Sequence, residues 1–203
     1  MRSILNHLDL RSLCSFACVS TASYRATRDP HLFTAVNLKS YWPFVNRSTL
    51  EWLAVRSRLL HQLDLSWCGS YGKLNAEDFN IFLKRGGHRL NILRLENCRF
   101  LNNDSLYWMS TVCTDLQELS LRGCRHVESS AFWHLGRLKK LQRLVLDGTL
   151  IELPTLLVNL QSLTSLCHLS VGSCAKLAQG GSLDEISRWL ARYQPHLESL
   201  VTY

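Results

Sequence analysis

The sequence predicts an α/β solenoid, in which short parallel strands alternate with helices in a stack of similar units. Two observations predict it. The pattern L-x-x-L-x-L-x-x-C recurs at Leu60–Cys68, Leu90–Cys98, Leu116–Cys124 and Leu166–Cys174, with Thr149 closing the copy that starts at Leu141. A weaker copy opens at Phe33, a clipped one starts at Leu197, and successive copies begin 27, 30, 26, 25, 25 and 31 residues apart. The second observation is a run of apolar residues at spacings of three and four between the copies: Phe79, Phe82 and Leu83, then Leu106 and Met109, Phe132 and Leu135, Leu157 and Leu160, and Ile186 and Leu190. Such spacing makes one apolar stripe per helix.

The physics of one unit explains its letters. Leu63 and Leu65 alternate with Asp64, so both leucines face one side of a short strand. The ninth position suits a small apolar residue in a buried turn, and cysteine is one. No unit can bury its leucines alone; stacked units bury them against one another. The period fits leucine-rich repeats. Residues 34–203 therefore read as about six repeats, the last incomplete, and residues 1–33 fall outside the pattern.

Each element has its own signals. Leu10–Ser20 carries apolar residues at helical spacing, and Ser20 is placed to cap a short helix that Asp29-Pro30 stops. Three helices in about 30 residues form a core too small to stand without a partner surface. The first repeat puts a helix at Ser48–Arg58, with Leu50 and Leu53 on one face. Gly69 and Gly72 break the following turn. Asn75, Asn102 and Ser129 stand where helix N-caps belong, and Pro154 fits a first helical turn. Gly86-Gly87 ends a helix, and Gly180-Gly181-Ser182 lengthens the fifth link.

Composition bounds the class. Hydrophobic residues make up 46% of the 203 and charged residues 19%, which fits a globular chain. No apolar run is long enough for a membrane helix. Asn6, His7 and Asp9 interrupt any secretory signal core, and Asp9 argues against a mitochondrial presequence despite Arg2 and Arg11. Four of the eight cysteines occupy one repeat position and no C-x-x-C pair occurs, so all are expected to be buried, reduced thiols without metal. The expected compartment is cytoplasmic or nuclear. Residues 1–58 carry +5 of the net +7, a surplus read as scattered surface charge rather than a nucleic-acid site.

The N-terminal segment resembles the F-box motif. The residues that carry the resemblance are Ile4-Leu5-x-x-Leu8-Asp9-Leu10-x-x-Leu13, Val19-Ser20-x-x-x-Tyr24-Arg25 and Asp29-Pro30-x-Leu32-Phe33. An F-box followed at once by cysteine-type leucine-rich repeats resembles the F-box and leucine-rich-repeat family. The leucine-proline pair that usually opens the motif is missing before Ile4, so the F-box is expected to be partial and its adaptor binding weakened. The resemblance implies a non-catalytic subunit of an SCF-type E3 ubiquitin ligase. It would bind the Skp adaptor through Ile4, Leu5, Leu8, Leu10 and Leu13, and so join a cullin-RING complex as a monomer. It also raises a mitochondrial association.

No catalytic constellation stands out: there is no H-E-x-x-H, no Walker loop and no G-x-S-x-G, and the eight histidines fall at different repeat positions. No cofactor is implied. What remains is the strand face opposite the leucines, with Asp64, Glu96, Glu118 and Asp147 set against Arg94, Arg122 and Arg143. Nucleic acid would want a basic stripe of one sign. A mixed face suits a target protein. The alternative is a repeat scaffold that binds proteins without ubiquitin.

Overall fold

The computed structural model describes residues 2–5, 7–69, 72–180, 186, 188–190, 192 and 197–202. Seven parallel strands lie in chain order: β1 Ala35–Asn37, β2 Gln62–Asp64, β3 Ile92–Arg94, β4 Glu118–Ser120, β5 Arg143–Val145, β6 His168–Ser170 and β7 Ser199–Val201. The register is unbroken. Val36, Leu63, Leu93, Leu119, Leu144, Leu169 and Leu200 face one another across the whole sheet. Backbone bonding runs past the strand ends, because Leu65, Leu95, Leu121 and Leu146 each donate to the next repeat at 2.8–2.9 Å. The leucines of positions one, four and six form a continuous core with the helices behind them.

Those helices are α4 Arg47–Arg56, α5 Ala76–Gly86, α6 Asn103–Val112, a 3-10 helix Ser129–Arg137, α7 Leu153–Ser162 and α8 Ala175–Gly180. Asn75 and Asn102 each close a capping box, accepting from the N–H three residues on. Pro154 sits in the first turn of α7. Ser129 departs from expectation: its hydroxyl accepts from Glu152 N–H at 2.9 Å, at the start of the next repeat's helix, and does not cap its own. No side chain caps Ser129–Arg137, and that segment winds as a 3-10 helix instead of the expected α-helix. Phe132 and Leu135 still reach the core. Gly181 and Ser182 of the lengthened link lie outside the described residues.

In the five repeats from Leu60 to Cys174 the eighth residue turns the chain out of the strand in the left-handed region: Trp67 (φ 68°), Asn97 (54°), Gly123 (70°), Gly148 (66°) and Ser173 (54°). The geometry serves the ladder, since the N–H groups of Trp67, Asn97, Gly123 and Gly148 reach the next repeat's carbonyl at 2.7–2.8 Å. Glycine suits Gly123 twice over, because a Cβ there would collide with the Asn97 side-chain oxygen. A bulky side chain at positive φ is costly, of order 1–2 kcal/mol, and Trp67 carries that cost while 47% exposed.

The cysteines stitch adjacent repeats together. Cys98 Sγ donates to Leu65 O at 3.1 Å, Cys124 Sγ to Leu95 O at 3.0 Å and Cys174 Sγ to Leu146 O at 3.1 Å. Thr149, the exception in the series, turns its hydroxyl to Leu146 O within its own repeat, at 2.7 Å. Burial pushes the Cys68, Cys113 and Cys124 thiols up to about 12. Three cysteines depart from the expectation of burial: Cys14 and Cys18 are exposed at the N-terminal helices, and Cys167 is half-buried.

Three outcomes follow. Leu119→Ala should cost about 2–5 kcal/mol by leaving a cavity that the fixed register cannot close, and a single calorimetric transition should shift as a whole. A thiol reagent should modify Cys14 and Cys18 in the native chain, but Cys68, Cys98, Cys113, Cys124 and Cys174 only after denaturant. The thiols also set an alkaline limit. A group kept neutral in the fold stabilises it fully below its unfolded value of 9.0, and that contribution falls away as pH rises from 9.0 toward about 12. Unfolding measured across that range should show the loss.

Candidate protein-binding surfaces

Two surfaces were anticipated, and the structure builds them differently. At the N-terminal end stand three short helices, α1 Arg2–Leu5, α2 Leu10–Ala17 and α3 Thr21–Ala26. Asp9 caps α2, accepting from Ser12 N–H at 2.7 Å, and this bond holds its carboxyl below the ordinary value. Ser20 caps α3 through Ser23 N–H at 3.1 Å, as its place in the sequence suggests. Asp29 accepts from His31 N–H and starts a 3-10 turn, Pro30–Phe33, that leads into β1.

The five apolar residues expected to face an adaptor do not share one exposed ridge. Leu5 and Leu13 are buried, Leu8 and Leu10 are half-buried, and only Ile4, 69% accessible, is largely in solvent. Leu5 and Leu13 therefore serve the segment's own small core, which lies outside the continuous core of the repeats. Val19, 75% accessible, and Tyr24 are exposed as well. Val19 follows the end of α2, and Tyr24 lies within α3. The signal was present in the Val19-Ser20-x-x-x-Tyr24 stretch, but spacing alone could not give its direction.

A buried arginine ties this segment to the first repeat. Arg56, at the end of α4, is only 7% exposed. Its guanidinium lies 4.3 Å from the centre of the Trp52 ring and 5.9 Å from that of Tyr24, and it donates to Trp52 O at 3.3 Å. Its Nε has no hydrogen-bond partner. Around α2 the fit is loose. Clefts of about 220, 340 and 430 Å³ separate it from α3, β1 and α4, and Leu10, Leu13 and Cys14 each line two of them.

The second surface is the strand face. The residues proposed from the sequence all belong to it or to the turn just beyond, but they are not level. Arg94 faces Asp64 on one side and Ser120 on the other, whereas Arg143 faces Glu118 and His168. Arg122 lies past the end of β4. Register thus sets the three arginines at three different heights. Arg94 is bound to Glu118 through both Nε and Nη2, at 2.8 and 2.7 Å. Glu96 takes Lys39 and the Ser120 hydroxyl, both at 3.3 Å. Asp147 accepts from the Ser170 hydroxyl at 2.6 Å and Gly172 N–H at 2.7 Å. Asp64 is buried and accepts from Ser66 N–H at 2.9 Å. Arginines, hydroxyls and amides in this arrangement are recognition chemistry. Among the described residues no group of three His, Cys, Asp or Glu side chains is placed to hold a metal ion, and no helix is long and apolar enough to cross a membrane.

Comparison with known proteins agrees with the N-terminal segment and with the repeats. The F-box domain family matches residues 1–34. F-box/LRR-repeat protein 4 of Bos taurus is 38% identical over 174 residues, which is 86% of this chain and 28% of that protein, so the chain spans little more than a quarter of this relative. Among solved structures, the leucine-rich repeat-containing protein LegL7 from Legionella pneumophila superposes with a TM-score of 0.54 at 15% identity, over 83% of this chain and 64% of that one. A chain of the Rad7 and Elc1 complex in yeast superposes with a TM-score of 0.52 at 19% identity, over 96% of this chain and 52% of that one. The solved structures agree with the solenoid, and the F-box match falls on the three helices that stand outside it. With an F-box domain match over residues 1–34, stacked repeats behind it, and 38% identity to F-box/LRR-repeat protein 4 over 86% of its length, the chain belongs to the F-box and leucine-rich-repeat family.

Proposed function

We propose that this chain is the substrate-receptor subunit of an SCF-type ubiquitin ligase. The F-box segment docks on the Skp adaptor, and through it on a cullin-RING core. The repeats hold a target protein on the strand face. The observation that carries this reading is an F-box leading directly into a repeat array whose outer strand face is lined with charged and polar side chains. The chain itself does no bond chemistry in this scheme. It raises the local concentration of target lysines beside a ubiquitin-loaded enzyme, a gain that comes from proximity. The solved complex of Rad7 with Elc1 supports treating such a repeat protein as one member of an assembly. Eight free thiols support a reducing compartment, cytosolic or nuclear.

The exposed apolar residues Ile4 and Val19 are the natural contacts for the adaptor, with half-buried Leu8 and Leu10 beside them. Burying one such side chain fully is worth about 1.5–3 kcal/mol, or roughly tenfold to a hundredfold in affinity. Titration calorimetry with purified Skp adaptor should therefore show binding that Ile4→Glu and Val19→Glu each weaken at least about tenfold. Charge reversal at Arg143 should leave it unchanged. Absence of adaptor binding by the unaltered chain would remove the ligase reading and leave a protein-binding scaffold.

A further inference from the structure

The first strand of the sheet has an edge that the chain leaves open. On its inner side β1 is bonded to β2: Gln62 N–H donates to Thr34 O at 3.1 Å, and Leu38 N–H donates to Asp64 O at 2.8 Å. Backbone groups alternate in direction along a parallel strand, so Ala35 and Asn37 turn their N–H and C=O groups the other way. On β2 the groups that point away from β1 meet β3, with Ile92 N–H on His61 O at 3.0 Å and Leu65 N–H on Arg94 O at 2.9 Å. Ala35 and Asn37 are exposed, and among the described residues their backbone groups have no such partner. No proline or charged side chain lies within β1, although those are the usual guards of a free edge. The edge opens into two of the clefts beside α2, of about 340 and 430 Å³. Leu8, Leu13 and Tyr41 line the first, Cys14, Trp52 and Leu53 line the second, and Leu10 and Val36 line both.

We infer that the outer edge of β1 receives an extended segment of a partner protein, which joins the sheet as a further strand. The inference goes beyond the ligase reading and does not depend on it. Open N–H and C=O groups on alternate residues match the backbone of an extended peptide, whereas a helix has already bonded its own. The walls select a single segment over a second copy of this sheet. Leu8, Leu10 and Leu13 of the N-terminal segment stand across the first cleft from Ala35 and Asn37, so the edge lies in a slot and not on an open flank. The side chains of an added strand alternate between the two faces. One set lies level with Val36 and Leu38, both buried, and meets the apolar cleft of Leu10, Cys14 and Trp52. The other lies level with Ala35 and Asn37, which are exposed. The segment that fits carries β-branched apolar residues at every second position and polar residues between them.

The test uses the full chain and a short fluorescent peptide of alternating valine and threonine with lysine at each end. Hydrogen exchange at the Ala35 and Asn37 amides should be fast in the free chain and slow at least about tenfold when the peptide saturates. Two N-methylated peptides read the pairing without altering the protein. Methyl groups on the valines block a parallel strand and methyl groups on the threonines an antiparallel one, so one of the two should lose binding and the other keep it. Asn37→Pro removes an N–H that bonds nothing within the chain, at an edge position where proline is tolerated, and should weaken binding at least about tenfold in fluorescence anisotropy. Asn37→Asp keeps that N–H and the side-chain oxygen that accepts from Lys39 N–H at 2.9 Å, and should bind like the unaltered chain. Unslowed exchange at Ala35 and Asn37, loss of binding by both methylated peptides or by neither, or undiminished binding by folded Asn37→Pro would each overturn the proposal. So would protection of those amides that rises with protein concentration alone, which would give the edge to a second copy.

Discussion

One row of side chains governs this molecule: Val36, Leu63, Leu93, Leu119, Leu144, Leu169 and Leu200, level with one another across seven strands. Each strand is three residues long and has no stability of its own. It exists because the next repeat supplies both the other half of its hydrogen bonds and the other wall of its core. A one-residue slip would turn every buried leucine to solvent. The register is therefore fixed by burial. The left-handed eighth residues and the thiol bonds follow from it, since both place a polar group against the neighbouring repeat's backbone.

Much of this was legible in the letters, and what was not has a physical cause. Leucine spacing gave the strands and their inward faces, because period-two alternation maps directly onto burial. Asn75 and Asn102 were legible as caps, because the bond they make is local. Ser129 was not, because its partner Glu152 lies 23 residues on, in the next repeat. The same limit explains the binding face. Sequence order showed which residues point outward, but only the fold showed that Arg94 is held by Glu118, 24 residues away. The left-handed position had a partial signal in Asn97, Gly123 and Gly148. Trp67 and Ser173 hid it.

The N-terminal helices obey a different balance. Their own core amounts to little more than Leu5 and Leu13, so their attachment depends on what the first repeat offers. Phe33 and Arg56 supply it. The Phe33 ring meets Trp52 edge-on, at 5.3 Å, and Arg56 bridges Trp52 and Tyr24. The clefts around α2 show how much of that interface is unfilled. A stiff array that displays a target at fixed spacing is thus joined to a lightly held segment that offers Ile4 and Val19. In a receptor subunit that division of labour is useful: the repeats set geometry, and the adaptor's own contacts can complete the weaker end.

The central claim is that the repeats behave as one body while the F-box segment opens on its own. Native-state hydrogen exchange of the ladder amides reads this directly. Leu65, Leu95, Leu121 and Leu146 N–H groups, each bonded to the following repeat, should exchange with one shared opening free energy close to that of global unfolding. The α2 and α3 amides of Leu13 and Tyr24 should exchange far faster. Separate opening energies for individual repeats, or F-box amides as protected as the strands, would contradict the account.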